Sequence, residues 1–220
     1  MAGPLTIRTF TSNIFGQNAY LVRCDADRAW VAIDPGGEAG AMAAALEAAD
    51  EPLAAIVLTH AHIDHLEGVA ELAERFPAPI HLHPGDRPLY DAAPQQAAMF
   101  GLTLRTPPPP DAALGEDAIF RFGTCALEVR HVPGHSPGHV LLYSAPAGAA
   151  FVGDVIFAGS IGRTDLPGGD LQQLMRSIRE RVLTLPDETA LYSGHGPVTT
   201  VARERATNPF LVPHFGGSRA

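Results

Sequence analysis

The chain has 220 residues, 46% hydrophobic and 18% charged, which suits one globular domain over residues 1–220 and excludes a disordered chain. A formal net charge of −9 with no extended basic stretch excludes nucleic acid as a partner. No apolar run reaches the ~18 residues of a membrane span, and "MAGPLTIRTF" lacks the apolar region of a signal peptide, so no membrane is expected and the cytoplasm is the expected location.

The first third predicts strands: "LTIRTF", "AYLVRC" and "AWVAID" are short, apolar and bounded by turn residues. "DPGG" is a turn, and "GAMAAALEAA" predicts a helix with Met42, Ala45, Leu46 and Ala49 on one face. "LAAIVLT" is a continuous apolar run suited to a strand buried on both faces. Leu66, Val69, Leu72 and Phe76 then recur at helical spacing through "HLEGVAELAERF", and "APIHLH" predicts the next strand. "TPPPP" at Thr106–Pro110 is a stiff surface loop. Strands return in "AIFRFG", "CALEVRHV", "HVLLYS" and "AAFVG". A helix is expected from about Leu171 to Leu183, with Asp170 and Gln173 placed as a capping box, and "TALYSG" is the last strand. Two sheets covered by helices follow from this order, in an α/β or α+β fold. No repeat and no oligomer-specifying pattern is present. Cys24 and Cys125 form no CxxC knuckle or disulfide framework and read as two buried thiols of a reducing compartment.

"THAHIDH" places His60, His62, Asp64 and His65 just after the buried strand. Burying so many polar groups needs a compensating partner, and a metal ion supplies one. Imidazole and carboxylate are the N and O donors that Zn²⁺ prefers, and imidazole also suits Fe and Mn. In extended chain His60 and His62 point the same way and can converge on one ion. Asp64 and His65 lie where a helix begins and could serve a neighbouring ion; alternatively Asp64, with Glu67 three residues on, simply caps that helix. Three later strand ends offer further donors: His135 in "HVPGHSPGHV", Asp154 in "FVGDVIF" and His195 in "LYSGHGP". His81, His83, His131 and His214 read as hydrogen-bonding partners of backbone or of the groups around the site. "GHSPG" satisfies the spacing of a nucleophile elbow around Ser136, but Pro137 removes the N–H that an elbow uses for its oxyanion hole.

"THAHIDH", "PGHSPGH", Gly153–Asp154 and "SGHG" together resemble the metallo-β-lactamase-fold superfamily, in the family's order across most of the chain. "GRTD" at Gly162–Asp165 and "TNPFL" at Thr207–Leu211 resemble the glyoxalase II-like branch, and a GRTD-like stretch is shared with the persulfide dioxygenases. The resemblance implies a four-layer αββα sandwich. It implies that His60, His62 and His135 hold a first divalent ion, that Asp64, His65 and His195 hold a second, and that Asp154 bridges them. His135 is preferred to His139 because the family's ligand is the first histidine of its PGH-x-x-GH pattern. Asp34 matches a family aspartate that works near the site through hydrogen bonds. Two ions are implied, Zn²⁺ first, with Fe or Mn as other choices.

The activity implied is thioester hydrolysis, with a small-molecule thioester such as a glutathione conjugate as partner, a metal-bridged hydroxide attacking the carbonyl, and Asp64 helping to orient it. The larger glyoxalase II enzymes read glutathione with a helical C-terminal extension, for which too few residues follow His195. Arg163 is the candidate substrate-binding residue in its place, unless it only pairs with Asp165 to shape its loop. Two other readings are a mononuclear iron dioxygenase of glutathione persulfide, using His60, His62 or His135, and Asp154, and a zinc-stabilised structural module.

Overall fold

The computed structural model describes residues 4–212, so His214 lies outside the described residues. The strands are β1 (Leu5–Thr11), β2 (Asn18–Cys24), β3 (Ala29–Ile33), β4 (Leu53–Val57), β5 (Ile80–Leu82), β6 (Ala112–Ala113), β7 (Ile119–Phe122), β8 (Cys125–His131), β9 (Val140–Ser144), β10 (Ala149–Gly153), β11 (Ile156–Phe157), β12 (Ser160–Ile161), β13 (Ala190–Ser193) and β14 (Thr199–Thr200). The helices are α1 (Ala39–Ala49), α2 (Ile63–Leu66), α3 (Val69–Arg75), α4 (Arg87–Asp91), α5 (Ala93–Met99), α6 (Leu171–Ser177) and α7 (Val201–Thr207). One sheet has the order β1-β2-β3-β4-β5-β6 and the other β14-β13-β10-β9-β8-β7.

Alternation along the strands builds three apolar layers. On β3, Val31 and Ile33 face the second sheet, whose Leu127, Val129, Leu142 and Phe151 fill the same layer. Trp30 and Ala32 face the other way, onto Met42 and Leu46 of α1 and Leu72 of α3. On β9, Leu141 and Tyr143 join Leu174, Ile178 and Val201 in a third layer under α6 and α7. Two helix layers thus enclose two packed sheets in an αββα sandwich. The central strands are apolar on both faces because each lies between two layers.

Three local features depart from the sequence expectations. The helix expected through "HLEGVAELAERF" breaks at Gly68. The Asp34–Gly37 turn packs against that position, and a Cβ there would lie 2.3 Å from the Gly36 carbonyl oxygen and 2.4 Å from that of Pro35. Only glycine admits this approach. The late helix runs as expected from Leu171, capped by the Asp170 side chain accepting from Gln173 N, but widens into a π turn over Ile178–Val182.

The third departure is a correction. Cys24 and Cys125 are not free thiols: they form a disulfide between β2 and β8, with Cα atoms 5.7 Å apart. The two residues lie 101 apart in sequence, and only the stacking of the sheets brings them together. The argument for a reducing compartment loses its support with them. Among the described residues no helix is long and apolar enough to cross a membrane.

Candidate metal centre

Four chain segments end at the same edge of the sandwich. The run after β4 carries His60, His62, Asp64 and His65. The β8–β9 loop carries His135, the end of β10 delivers Asp154 and the end of β13 delivers His195. The second sheet is pinned to the first here. Gln17 bridges His195 across the seam, and Asn18 donates from its N to the Gly194 carbonyl and from Nδ2 to the Ser193 and Gly196 carbonyls. At Gly194 a Cβ would stand 2.1 Å from Asp154 Oδ1, so only glycine lets β13 pass this close.

The seven side chains singled out in the sequence form one cluster. His135 Nε2 is 2.8 Å from His62 Nδ1 and 3.2 Å from His60 Nε2. His195 Nε2 is 3.1 Å from Asp64 Oδ2 and 3.5 Å from Asp154 Oδ2. Asp154 stands between the two sets, its Oδ1 at 3.2 Å from His65 Nε2 and its Oδ2 at 3.6 Å from His135 Nε2. Asp64 does not cap α2: His62 occupies the cap position, and Asp64 lies inside the helix facing His195.

Neighbouring hydrogen bonds fix how the imidazoles point. Thr59 Oγ1 donates to Asp34 Oδ2 at 2.6 Å, which leaves it to accept from His60 Nδ1 at 3.1 Å. His65 Nδ1 donates to Asp34 Oδ2 at 3.0 Å, and His135 Nδ1 donates to the Arg163 carbonyl at 2.8 Å. His60 and His135 therefore present a bare Nε2 to the cluster, and His65 is held with its Nε2 directed into it. The sets suit divalent ions on two counts. The His60 and His135 Nε2 lone pairs, 3.2 Å apart, repel unless something lies between them, and about 3.3 Å is the edge of a donor tetrahedron around a zinc-sized ion. His65 Nε2 and Asp154 Oδ1 are buried and make no hydrogen bond, although they stand 3.2 Å apart.

Electrostatics separates the two sets. Burial, with neighbouring imidazoles, holds His60 well below its ordinary pKa and His62 at about 3, so these two rings are neutral. Burial also disfavours charge on His65 and His195, but Asp154 and Asp64 outweigh it, lifting His65 well above its ordinary value and His195 to about 9. Burial likewise opposes ionisation of Asp64 and Asp154, and the facing histidines overcome it and lower both. The second set thus demands positive charge.

Other residues give the site its rigidity, and for Asp86 the sequence carried no signal. Asp86, fully buried, accepts from Ala61 N at 2.9 Å, Ser136 Oγ at 2.7 Å and Gly138 N at 2.5 Å, tying both histidine-bearing loops together. Ser136 is therefore a buried donor and not a nucleophile. His139 stacks on His60 and accepts from Asp154 N through Nε2 at 3.0 Å. His83 Nδ1 accepts from Gly85 N, and His131 Nε2 donates to the Pro137 carbonyl. His81 packs edge-on against Phe120. The Arg163 guanidinium holds Asp165 at 2.6 and 2.7 Å and lines the cleft. That cleft, about 270 Å³, opens onto His62, Asp64, His135, Asp154 and His195.

The family model of the metallo-beta-lactamase superfamily matches residues 13–195. The chain belongs to this superfamily. Within it, the chain is 37% identical over 209 residues to hydroxyacylglutathione hydrolase GloC of Haemophilus influenzae, covering 94% of this chain and 98% of that protein. Among solved superfamily structures it is similar to the BLEG-1 B3 metallo-beta-lactamase, with TM-score 0.88 and 38% identity over 94% of this chain and 100% of that one. It is also similar to TTHA1623 in a di-iron-bound form, with TM-score 0.85 and 44% identity over 93% and 100%. The superfamily's fold, a metallo-hydrolase site and divalent metals at His/Asp sites agree with the geometry above.

Proposed function

We propose that this chain is a dinuclear metal-dependent thioester hydrolase of glyoxalase II type. Its substrate would be a small thioester, with a glutathione conjugate such as S-D-lactoylglutathione the first to test. The observation that carries this reading is Asp154 standing between two complete donor sets. Similarity to a hydroxyacylglutathione hydrolase supports the thioester part.

His60, His62 and His135 would hold one ion, Asp64, His65 and His195 the other, and Asp154 both. Two bound divalent ions supply Lewis acidity toward the carbonyl and a water acidified toward neutral pH. Asp64 faces the cleft, and its Oδ2 is placed to accept the proton of an attacking water and fix its approach. Asp34 and Thr59 keep the imidazoles oriented through turnover. Phe15, Ile63 and Leu89 exclude bulk water from the cleft, which strengthens every charge interaction inside it. No side-chain nucleophile is required: Ser136 is engaged with Asp86 and both cysteines are in the disulfide. A single-iron oxygenase would leave Asp64, His65 and His195 gathered around no ion, which favours the hydrolase.

The test is anaerobic hydrolysis of S-D-lactoylglutathione by protein of known metal content, with a chromogenic cephalosporin in parallel because of the BLEG-1 likeness. Thioester turnover at two ions per chain is the expected result. Cephalosporin turnover alone would move the reading to amide hydrolysis. Inactivity with one iron bound, followed by oxygen uptake on glutathione persulfide, would replace the hydrolase with the oxygenase.

A further inference from the structure

The mouth of the cleft is unusually apolar for a site that acts on polar thioesters. Phe15, from the β1–β2 loop, meets Phe100, at the end of α5, edge to face with ring centroids 5.9 Å apart. Phe100 is 52% exposed and Met99 beside it 76% exposed. Large apolar side chains gathered at one opening mark a binding surface. Leu89, Leu166 and Pro167 line the same cleft as the donor cluster. Cationic groups are scarce by contrast. The chain has no lysine, and Arg163 is the one arginine among the described residues that line the cleft. Its guanidinium is already engaged by both Asp165 oxygens. Away from the metal centre, a ligand's carboxylates find little along the cleft wall to hold them.

We infer that the site selects thioesters with a bulky apolar acyl arm, aryl or branched alkyl, packed against the wall formed by Phe15, Phe100 and Met99, over those with a small polar arm. This rests on the thioester-hydrolase reading for the chemistry at the carbonyl, while the arm preference is a property of the cleft wall. An aromatic wall of this kind holds a ring by area and by edge-to-face contact, and offers a methyl group far less of both.

Thioethers test the preference without hydrolysis. Calorimetric binding of S-benzyl- and S-methylglutathione, and of benzylthioacetate and methylthioacetate, would be measured on the metal-loaded full chain. The benzyl compound is expected to bind roughly tenfold or more tightly on at least one carrier. That ratio should fall toward one in Phe100→Ala and in Met99→Ser, whose exposed side chains can be cut back without opening the core. Equal binding of benzyl and methyl, no binding of either at millimolar concentration, or a preference that survives both substitutions would overturn the inference. Benzyl preference in a protein that cleaves no thioester would support it and sink the hydrolase reading instead.

Discussion

Asp34 adopts φ 50°, in the left-handed region that residues other than glycine rarely enter, and its carboxylate accepts from Thr59 N, Thr59 Oγ1 and His65 Nδ1. Such a backbone persists because its hydrogen bonds over-determine it, and what it secures is the direction of the His65 Nε2 toward the cluster. The protonation of the donors makes a prediction at this scale. An ion entering the second set must displace the proton on His195, whose pKa is raised to about 9, and that on His65, whose pKa is also raised, whereas His60 and His62 are already neutral, His62 with a pKa of about 3. Loading by competition with a chelator should therefore show one ion bound from pH 6 upward and the second strengthening as pH rises toward 9. Two ions of equal, pH-independent affinity would contradict this. Asp64→Asn should lose the second ion first and lower turnover by at least a hundredfold; a fully loaded, fully active variant would make Asp64 a bystander. The donors were legible because each sits in a short motif at a strand end. Thr59, Asp86 and His139 were not, because their partners come from segments up to 52 residues away that only folding brings together.

Among the elements, the turn at Pro84–Asp86 bears most on the site while looking least like part of it. Through Asp86 it holds Ala61, between two of the histidines, and Ser136 and Gly138, beside a third. Asp86→Ala leaves two buried N–H groups and a hydroxyl without an acceptor, which costs about 3 kcal/mol. Denaturant unfolding should report that loss, and chelator competition should report weaker binding at the first set. Normal stability and normal affinity together would show that the loops hold themselves. The sequence shows β1–β5, β7–β10, β13 and α1 because their apolar patterns are long or doubly buried, but not the two-residue strands β6, β11 and β12. Nor does it show α4 and α5, which are short and proline-initiated, or β14 and α7, which follow the last donor. Periodicity ran straight through the Gly68 break because Leu66, Val69 and Leu72 stay in phase across it. The interruption is imposed by the neighbouring turn.

For the whole molecule, the fold class followed from element order, but the pairing of the two sheets did not, and the disulfide was misread for that reason. The register places Cys24 opposite Ala29, at the start of β3, whereas the metal centre lies beyond the end of β3. Cys125 begins β8, whose far end leads to His135. The disulfide therefore closes the sandwich at the edge remote from the donors. Cys24→Ser should lower unfolding stability by about 2–4 kcal/mol, read from denaturant midpoints with and without reductant. A variant as stable as the parent would mean the bond is not formed in solution. With four of the proposed donors on the first half of the chain and three on the second, bound ions would be a second closure of the same seam. Each closure raises the effective concentration of one half for the other. Chelated protein with its disulfide intact should thus regain metal and activity in a step whose rate is independent of protein concentration. The same protein chelated and reduced has lost both tethers, and its recovery should be slower and incomplete.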